Sequence, residues 1–366
     1  MSRPRVAVVL FNLGGPDRPE AIKPFLLNLF RDPAIIRVPG FIRPFIARRI
    51  AAARLKPASE NYALLGGSSP LLRLTEEQAS ALEAALPEME ARCFVAMRYW
   101  HPFTEQAVRA VRDWDPAAVV LLPLYPQFST TTTGSSLSAW RQAAAKAGLA
   151  KPTATICCYP EDPGFVAATA SLLREALARA RAEYPGRLRV LFSAHGLPES
   201  IVRAGDPYQL QVERSTAAVL AALGEAGLDW LICYQSRATP QVWIGPSTDE
   251  AVEQAGREGV GLLVVPIAFV SEHSETLVEL DIEYRDLGEK AGVPYYARVP
   301  TPNSDPRFIH ALADLVRAAY ARGPGLTDAG GGRLCPGQCG DCPQIRAGLP
   351  VAGAAAGTVC GAGLAA

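Results

Sequence analysis

Eight short apolar runs punctuate the chain: VAVVLF from Val6, RCFVAM from Arg92, AVVLLPLY from Ala118, ATICCY from Ala154, RVLFSA from Arg189, WLICYQ from Trp230, GLLVVPIAF from Gly261 and YYARVP from Tyr295. Most are apolar at consecutive positions, the pattern of strands buried on both faces of a parallel sheet. Between them lie stretches such as Thr75 to Leu86 and Phe165 to Ala182, apolar at helical spacing and rich in Ala, Leu, Glu and Arg, which predict amphipathic helices. The alternation predicts an α/β fold of doubly wound type, with parallel sheets flanked by helices.

A weak internal repeat divides this pattern in two. Val119–Ser129 (VVLLPLYPQFS) is similar to Leu262–Ser271 (LLVVPIAFVS), with a proline inside each run and a polar helix start after it. Tandem duplication follows, with a seam near Gly148 to Pro152 and a ligand cleft between two lobes. The sequence therefore predicts an N-terminal Rossmann-like lobe over 1–150, a second over 151–325, and a Cys-containing extension with a Gly/Ala tail over 326–366.

Charge changes the picture only locally. Lys plus Arg and Asp plus Glu are both 36, so no global field recruits nucleic acid. From Phe25 to Pro57, however, seven basic residues (Arg31, Arg37, Arg43, Arg48, Arg49, Arg54, Lys56) face a single acid, Asp32. The start of the chain runs straight into the first strand with no cleavable signal pattern, and no run of about 18 apolar residues follows. The expectation is a cytoplasmic chain. Its uncharged Gly/Ala tail, residues 348–366, reads as flexible.

The candidate chemistry sits at two strand ends. SAHGLP (Ser193–Pro198) follows RVLF, and SEHSET (Ser271–Thr276) follows GLLVVPIAFV; side chains there face the crevice where open α/β sheets bind ligands. Glu275, Glu279 and Glu283 lie four apart, predicting one acidic face of an α-helix, with Leu277, Leu280, Tyr284 and Leu287 on the other. Leu13-Gly14-Gly15-Pro16 lacks the spacing of a dinucleotide loop. The run Thr130–Ser136 opens a helix without a Walker lysine, and reads either as a hydroxyl-rich cap or as a pocket wall. Cys93 and Cys233 read as small buried hydrophobes. Cys335, Cys339 and Cys342, three thiols within eight residues, suit zinc or an iron-sulfur centre.

Taken together, these segments resemble ferrochelatases over about residues 5 to 320. The matching pieces are NLGGP (Asn12–Pro16), GGSSPL (Gly66–Leu71), MRYWHP (Met97–Pro102), LYPQFSTTTTGSSL (Leu124–Leu137), SAHGLP, CYQSR (Cys233–Arg237), WIGPSTDE (Trp243–Glu250) and VPIAFVSEHSETLVELDIEY (Val265–Tyr284), in collinear order. The resemblance implies two Rossmann-like lobes with a porphyrin cleft between them (the chelatase fold) and insertion of ferrous iron into protoporphyrin IX. It implies His195 and Glu275 as catalytic residues and His195, His273, Glu275 and Glu279 along the iron path. Leu13, Tyr62, Ser69, Arg98, Tyr99 and Trp243 match porphyrin-binding positions; a propionate arginine, Arg49 or Arg54, falls where the alignment slips. Leu13 stands where the coproporphyrin branch has Tyr, which favours protoporphyrin.

The resemblance also gives the remaining segments a role. The basic, apolar stretch 25–57 corresponds to a lip that touches the membrane, implying a cytoplasmic protein held peripherally at the inner membrane, as a monomer or homodimer. Some members carry a 2Fe-2S cluster with three ligands in a C-terminal extension, here Cys335, Cys339 and Cys342, and a fourth from the body. The animal pattern has that fourth ligand in the loop matched by Ser129–Thr131, where this chain has none. Cys158 is preferred, with Cys157 and Cys360 as alternatives. Coproporphyrin ferrochelatase and a non-enzymatic porphyrin carrier of two lobes are the competing readings.

Overall fold

The computed structural model describes residues 3–237, 241–327 and 333–347. The chain divides into two compact units, 1–157 with 312–327, and 158–311 with the segment after 327. The division departs from bounds at 150 and 325. The last strand among the described residues, Gly325–Thr327, pairs with a strand of the first unit, and no apolar run announced it.

In the first unit, β1 (Arg5–Asn12), β2 (Glu90–Met97), β3 (Ala118–Pro123), β4 (Thr153–Ile156) and β9 (Gly325–Thr327) form one sheet in the order β2-β1-β3-β4-β9, every pair parallel. Its helices are α1 (Ile22–Arg31), α2 (Arg43–Leu64), α3 (Leu71–Ala84), α4 (Thr104–Trp114) and α5 (Thr133–Ala147). β1 is buried from Val6 to Phe11 without alternation, as a strand covered on both faces must be. One layer of the core packs Val9, Phe11, Leu121 and Trp140, with the Phe11 and Trp140 rings edge to face at 6.0 Å.

In the second unit, β5 (Leu188–His195), β6 (Asp229–Gln235), β7 (Gly261–Pro266) and β8 (Tyr296–Arg298) form a second parallel sheet, ordered β6-β5-β7-β8. Its helices are α6 (Pro163–Glu183), α7 (Glu199–Arg203), α8 (Tyr208–Leu223), α9 (Thr248–Glu258), α10 (Tyr284–Ala291) and α12 (Pro343–Arg346), and α11 (Pro306–Arg322) runs through position 311 into the first unit. The first four strands of each unit thus share the order 2-1-3-4, which agrees with the internal repeat. In each sheet the chain reverses direction of build-up beside its first strand, so the ligand crevice falls at the carboxyl ends of β1 and of β5.

Two local expectations change. The ATICCY strand ends at Ile156, so Cys157 and Cys158 lie beyond the strand, and strand alternation does not set their directions. The acidic helix after β7 is not an α-helix: Glu275–Glu283 is a π-helix that passes into α10 at Tyr284, whose N-H bonds to the Glu279 carbonyl five residues back. The wider turn changes the inward set. Thr276, Val278, Leu280 and Tyr284 are buried, while Leu277 and Leu287 are only partly so. Such turns recur at functional sites because they offset side chains from regular helical spacing.

Candidate active site

β5 ends on His195, and the parallel register sets Gln235, the last residue of β6, beside it. Gly196 then passes so close to β6 that a Cβ would lie 2.8 Å from the Gln235 carbonyl oxygen and 3.2 Å from the Trp243 ring; glycine is required by this approach. Trp243 therefore packs against the turn that carries His195. From β7 the chain runs to His273 and enters the π-helix. Arg298 of β8 holds that helix from outside, with Nε and Nη2 on the two Asp281 oxygens at 2.8 Å each and Nη1 on Glu272 at 3.0 Å.

The π-helix brings its first carboxylate onto the strand end. His195 Nδ1 lies 3.0 Å from Glu275 Oε2, and His273 Nε2 lies 3.7 Å from the same oxygen. An ionised carboxylate only accepts hydrogen bonds, so the His195 proton facing it belongs on Nδ1, leaving Nε2 as the nitrogen Glu275 does not engage. One turn on, Glu279 Oε2 accepts from Gln235 Nε2 (2.9 Å) and from Ser236 Oγ (2.6 Å). Ser193 Oγ donates to Gln235 Oε1 at 2.9 Å, which fixes the amide so that its nitrogen faces the acid. Glu283 is exposed.

Each ionisation follows from these contacts. Burial favours neutral Glu275, but the attraction and hydrogen bond of His195, aided by His273, overcome it and hold the carboxyl well below its usual range. Burial likewise opposes a charge on His195, and the Glu275 carboxylate outweighs it, raising the imidazole above its ordinary 6.5. Because 43% of the His195 side chain is exposed, solvent screens part of this attraction. Glu279 goes the other way. Burial first, then repulsion from Glu275, raise it to about 7 against the donors from Ser236 and Gln235. Two carboxylates one turn apart are thus poised in opposite protonation states. Nδ1 of His273 is buried with no hydrogen-bond partner among the described residues.

In the first unit, five predicted positions gather at the ends of β1 and β2. Leu13 packs beside Tyr62 and Tyr99, and its carbonyl accepts from the Tyr99 N-H at 3.0 Å. A Cβ on Gly15 would strike Ser69 at 2.5 Å and come within 3.9 Å of the Tyr62 hydroxyl, so Gly15, Ser69 and Tyr62 form one contact set. Arg98 gives Nη2 to Asp32 Oδ2 (2.8 Å) and Nε to Ser135 Oγ (2.7 Å). Tyr99 is buried at 1% exposure and its hydroxyl donates to Asp32 at 2.8 Å; its place is behind the wall, bracing Asp32. Arg49 and Arg54 are exposed on α2. Sequence reasoning missed Asp32, although a lone acid in a basic stretch was a visible signal. Gln235 and Ser236 lay in a quoted motif without a role, and nothing in the sequence marked Arg298.

The cysteines form a separate buried set in the second unit. Cys158, Cys335, Cys339 and Cys342 are each 0–1% exposed, and the three of the extension cluster with Leu210 and Ile345. A hydrogen bond with Cys342, burial, and the neighbouring Cys158 and Cys342 sulfurs together push the Cys335 thiol up. Cys339 is disulfide-bonded. Cys157 donates its N-H to Thr327 O, both in the first unit, while Cys360 lies outside the described residues. Among the described residues no three His, Cys, Asp or Glu side chains converge so as to hold a metal ion, at the cysteines or at His195.

Comparison with known proteins identifies the family. The chain matches the model of the ferrochelatase family over residues 5–320. It is 52% identical over 343 residues to a ferrochelatase of Caulobacter vibrioides, covering 93% of this chain and 97% of that one. It is 53% identical over 339 residues to a ferrochelatase of Phenylobacterium zucineum, covering 90% and 97%. Among solved structures, SirB from Bacillus subtilis with Fe3+ is similar at a TM-score of 0.49 and 14% identity, over 87% of this chain and 96% of that one. On a match that spans the His195 strand end and the π-helix alike, this chain belongs to the ferrochelatase family.

Proposed function

We propose that the protein inserts ferrous iron into protoporphyrin IX, the closing step of protohaem formation, with His195 as the base and the acidic π-helix as the iron-side path. The observation that carries this is the His195–Glu275 pair at the end of β5, inside a chain of the ferrochelatase family. Metallation requires two pyrrole protons to leave and the iron to exchange water for nitrogen ligands. Glu275, held ionised, is a poor proton acceptor; it orients His195 and stabilises the imidazolium formed when Nε2 takes a pyrrole proton. Glu279, titrating near neutrality, passes protons on. Once ionised, Glu279 joins Glu275 as a hard oxygen donor for incoming ferrous iron.

Leu13, Tyr62, Ser69 and Arg98 in the first unit and Trp243 in the second are the porphyrin-binding candidates. Arg98 is the charged donor suited to a propionate, kept in place by Asp32. Leu13 offers an apolar surface, which suits protoporphyrin IX better than the more anionic coproporphyrin. Stretch 25–57 supports peripheral contact with a membrane: Phe41 is 79% exposed and Phe45 67%, with Arg48 and Arg49 exposed beside them on α2. That combination suits an interface of acyl chains and anionic head groups. No helix among the described residues is long and apolar enough to cross a membrane.

The four buried cysteines support a 2Fe-2S centre with Cys158 as the body ligand. Four buried sulfurs cannot all ionise without a cationic partner. A two-iron cluster asks for cysteines in pairs, two to an iron, and not for a single point of convergence. Cys335 of the extension has both Cys342 and the body residue Cys158 as neighbours. When bound, the cluster supplies a one-electron centre that also tethers the extension; Cys339 must be reduced before it can serve.

His195→Ala should lower iron insertion by about 10²-fold or more while fluorescence titration shows unchanged porphyrin binding, and Glu275→Gln should behave alike. Turnover near wild type in both would remove the pair from the chemistry. Coproporphyrin III metallated faster than protoporphyrin IX would reverse the substrate assignment.

Glu279 is protonated below about pH 7 and ionised above it, so the rate of iron insertion should rise through that pH. Glu279→Gln should remove the Glu279 contribution to this limb and leave that of His195. A limb unchanged in the variant would place the ionisation elsewhere.

Charge reversal of Arg48 and Arg49 to Glu should weaken cosedimentation with anionic vesicles, each residue contributing about 1 kcal/mol near such a surface, with activity in detergent retained. Equal cosedimentation of variant and wild type would end the membrane-contact reading.

A further inference from the structure

Strand β5 reaches His195 with a serine two residues behind it, and β6 reaches Gln235 with a cysteine two residues behind. The parallel register sets Ser193 beside Cys233 and His195 beside Gln235. Residues two apart in a strand share a face, so these four side chains form one patch under the strand ends. Thr248, the first residue of α9, closes it: its Oγ1 lies 3.1 Å from Ser193 Oγ and 3.4 Å from Cys233 Sγ. Ser193, Cys233, Gln235 and Thr248 are each 0% exposed, so their polar atoms must satisfy one another or the groups packed on them.

The protons in this patch run one way. A backbone carbonyl only accepts, and the Glu275 carbonyl oxygen lies 3.2 Å from Gln235 Nε2; the amide nitrogen therefore faces the π-helix. Its second proton goes to Glu279 Oε2 at 2.9 Å. The amide oxygen is left facing β5, where Ser193 Oγ gives it its one proton at 2.9 Å. The Ser193 oxygen is then open to a donor, and the Thr248 hydroxyl is in place to be that donor. Ser236 also donates to Glu279 Oε2, at 2.6 Å, but the Gln235 amide is what ties the carboxyl to a backbone carbonyl one turn earlier. A side chain inserted at a helix carbonyl in this way shapes the helix locally.

We propose that Ser193 is a positioning residue for iron insertion: through the Gln235 amide it holds the Glu279 carboxyl and the first turn of the π-helix against the end of β5. The inference rests on the reading of Glu279 as an oxygen donor to incoming iron. Ser193 acts at a distance from that oxygen, and the amide transmits its effect. Without the serine hydroxyl the Gln235 oxygen is a buried acceptor that has lost its donor, a state costly enough to turn the amide away from the helix. Glu279 then loses a fixed donor, and its link to the Glu275 carbonyl goes with it.

The test is a double-mutant cycle on the full chain. Ser193→Ala removes the donor, and Gln235→Met keeps the length of the side chain while removing both polar atoms of the amide. With circular dichroism matching wild type, each alone should raise the KM for ferrous iron by about tenfold, the scale of one lost hydrogen bond to a charged group, and leave the KM for protoporphyrin IX unchanged. Ser193→Ala added to Gln235→Met should then have no further effect, because the amide through which it acts is gone. A wild-type iron KM in Ser193→Ala, or two losses that multiply in the double variant, would overturn the role of Ser193. A second measurement needs no variant. In wild-type protein labelled with ¹⁵N in glutamine side chains, both Gln235 amide protons should exchange slowly with solvent, and rapid exchange would equally overturn the role. An unchanged iron KM in Glu279→Gln would overturn the iron-side reading itself, a result distinct from either of these.

Discussion

A partly buried carboxylate, kept charged beside the end of β5, is the constraint from which the rest of the site follows. Taking Glu275 out of water costs several kcal/mol unless a partner compensates, and His195 at 3.0 Å is that partner. The pairing fixes the imidazole tautomer, raises its basicity and leaves Nε2 for chemistry. It also places a fixed negative charge one turn from Glu279, which cannot ionise as readily beside it. Burial first, and then the charge on the first acid, raise the second to about 7.

Backbone geometry makes this arrangement possible. A regular α-helix would carry residues 275 and 279 around by 3.6 residues per turn. The π-helix is wider, and both carboxylates turn toward the end of β5, where the Gln235 amide spans from the Glu275 carbonyl oxygen to the Glu279 side chain. That backbone is held at several points: Arg298 grips Glu272 before it and Asp281 within it, and Val278 and Leu280 are fully buried. The first unit solves a parallel problem with different residues. There Asp32, buried at 4% exposure, aligns Arg98 and accepts from Tyr99 and Ser135. The first four strands of each unit share one order and each unit presents a charged pair near its first strand, as duplication followed by specialisation would leave it.

Much of this was readable from the chain alone. Every apolar run became a strand because continuous burial leaves a continuous apolar signature. His195 and Glu275 were legible because so few histidines occur and two of them follow strand ends. The π-helix was not legible: three acids spaced four apart are compatible with an α-helix, and the Arg298 contacts to Glu272 and Asp281 join residues distant in sequence. β9 was missed because Gly325–Thr327 is short and carries only Leu326 as an apolar side chain. Asp32 showed only as a lone acid in a basic stretch; its partners Arg98, Tyr99 and Ser135 come from remote segments, so its contacts were not legible.

The central claim, that Glu275 holds the His195 proton on Nδ1 and raises the basicity of Nε2, is tested most directly by a nitrogen-15 NMR titration of His195. In wild-type protein Nδ1 should keep its proton throughout while Nε2 titrates above 6.5, the ordinary value. In Glu275→Gln burial is opposed only by Glu279, and the titration should fall below its wild-type midpoint. A His195 midpoint that is the same in both proteins, or a neutral form protonated on Nε2, would contradict the account.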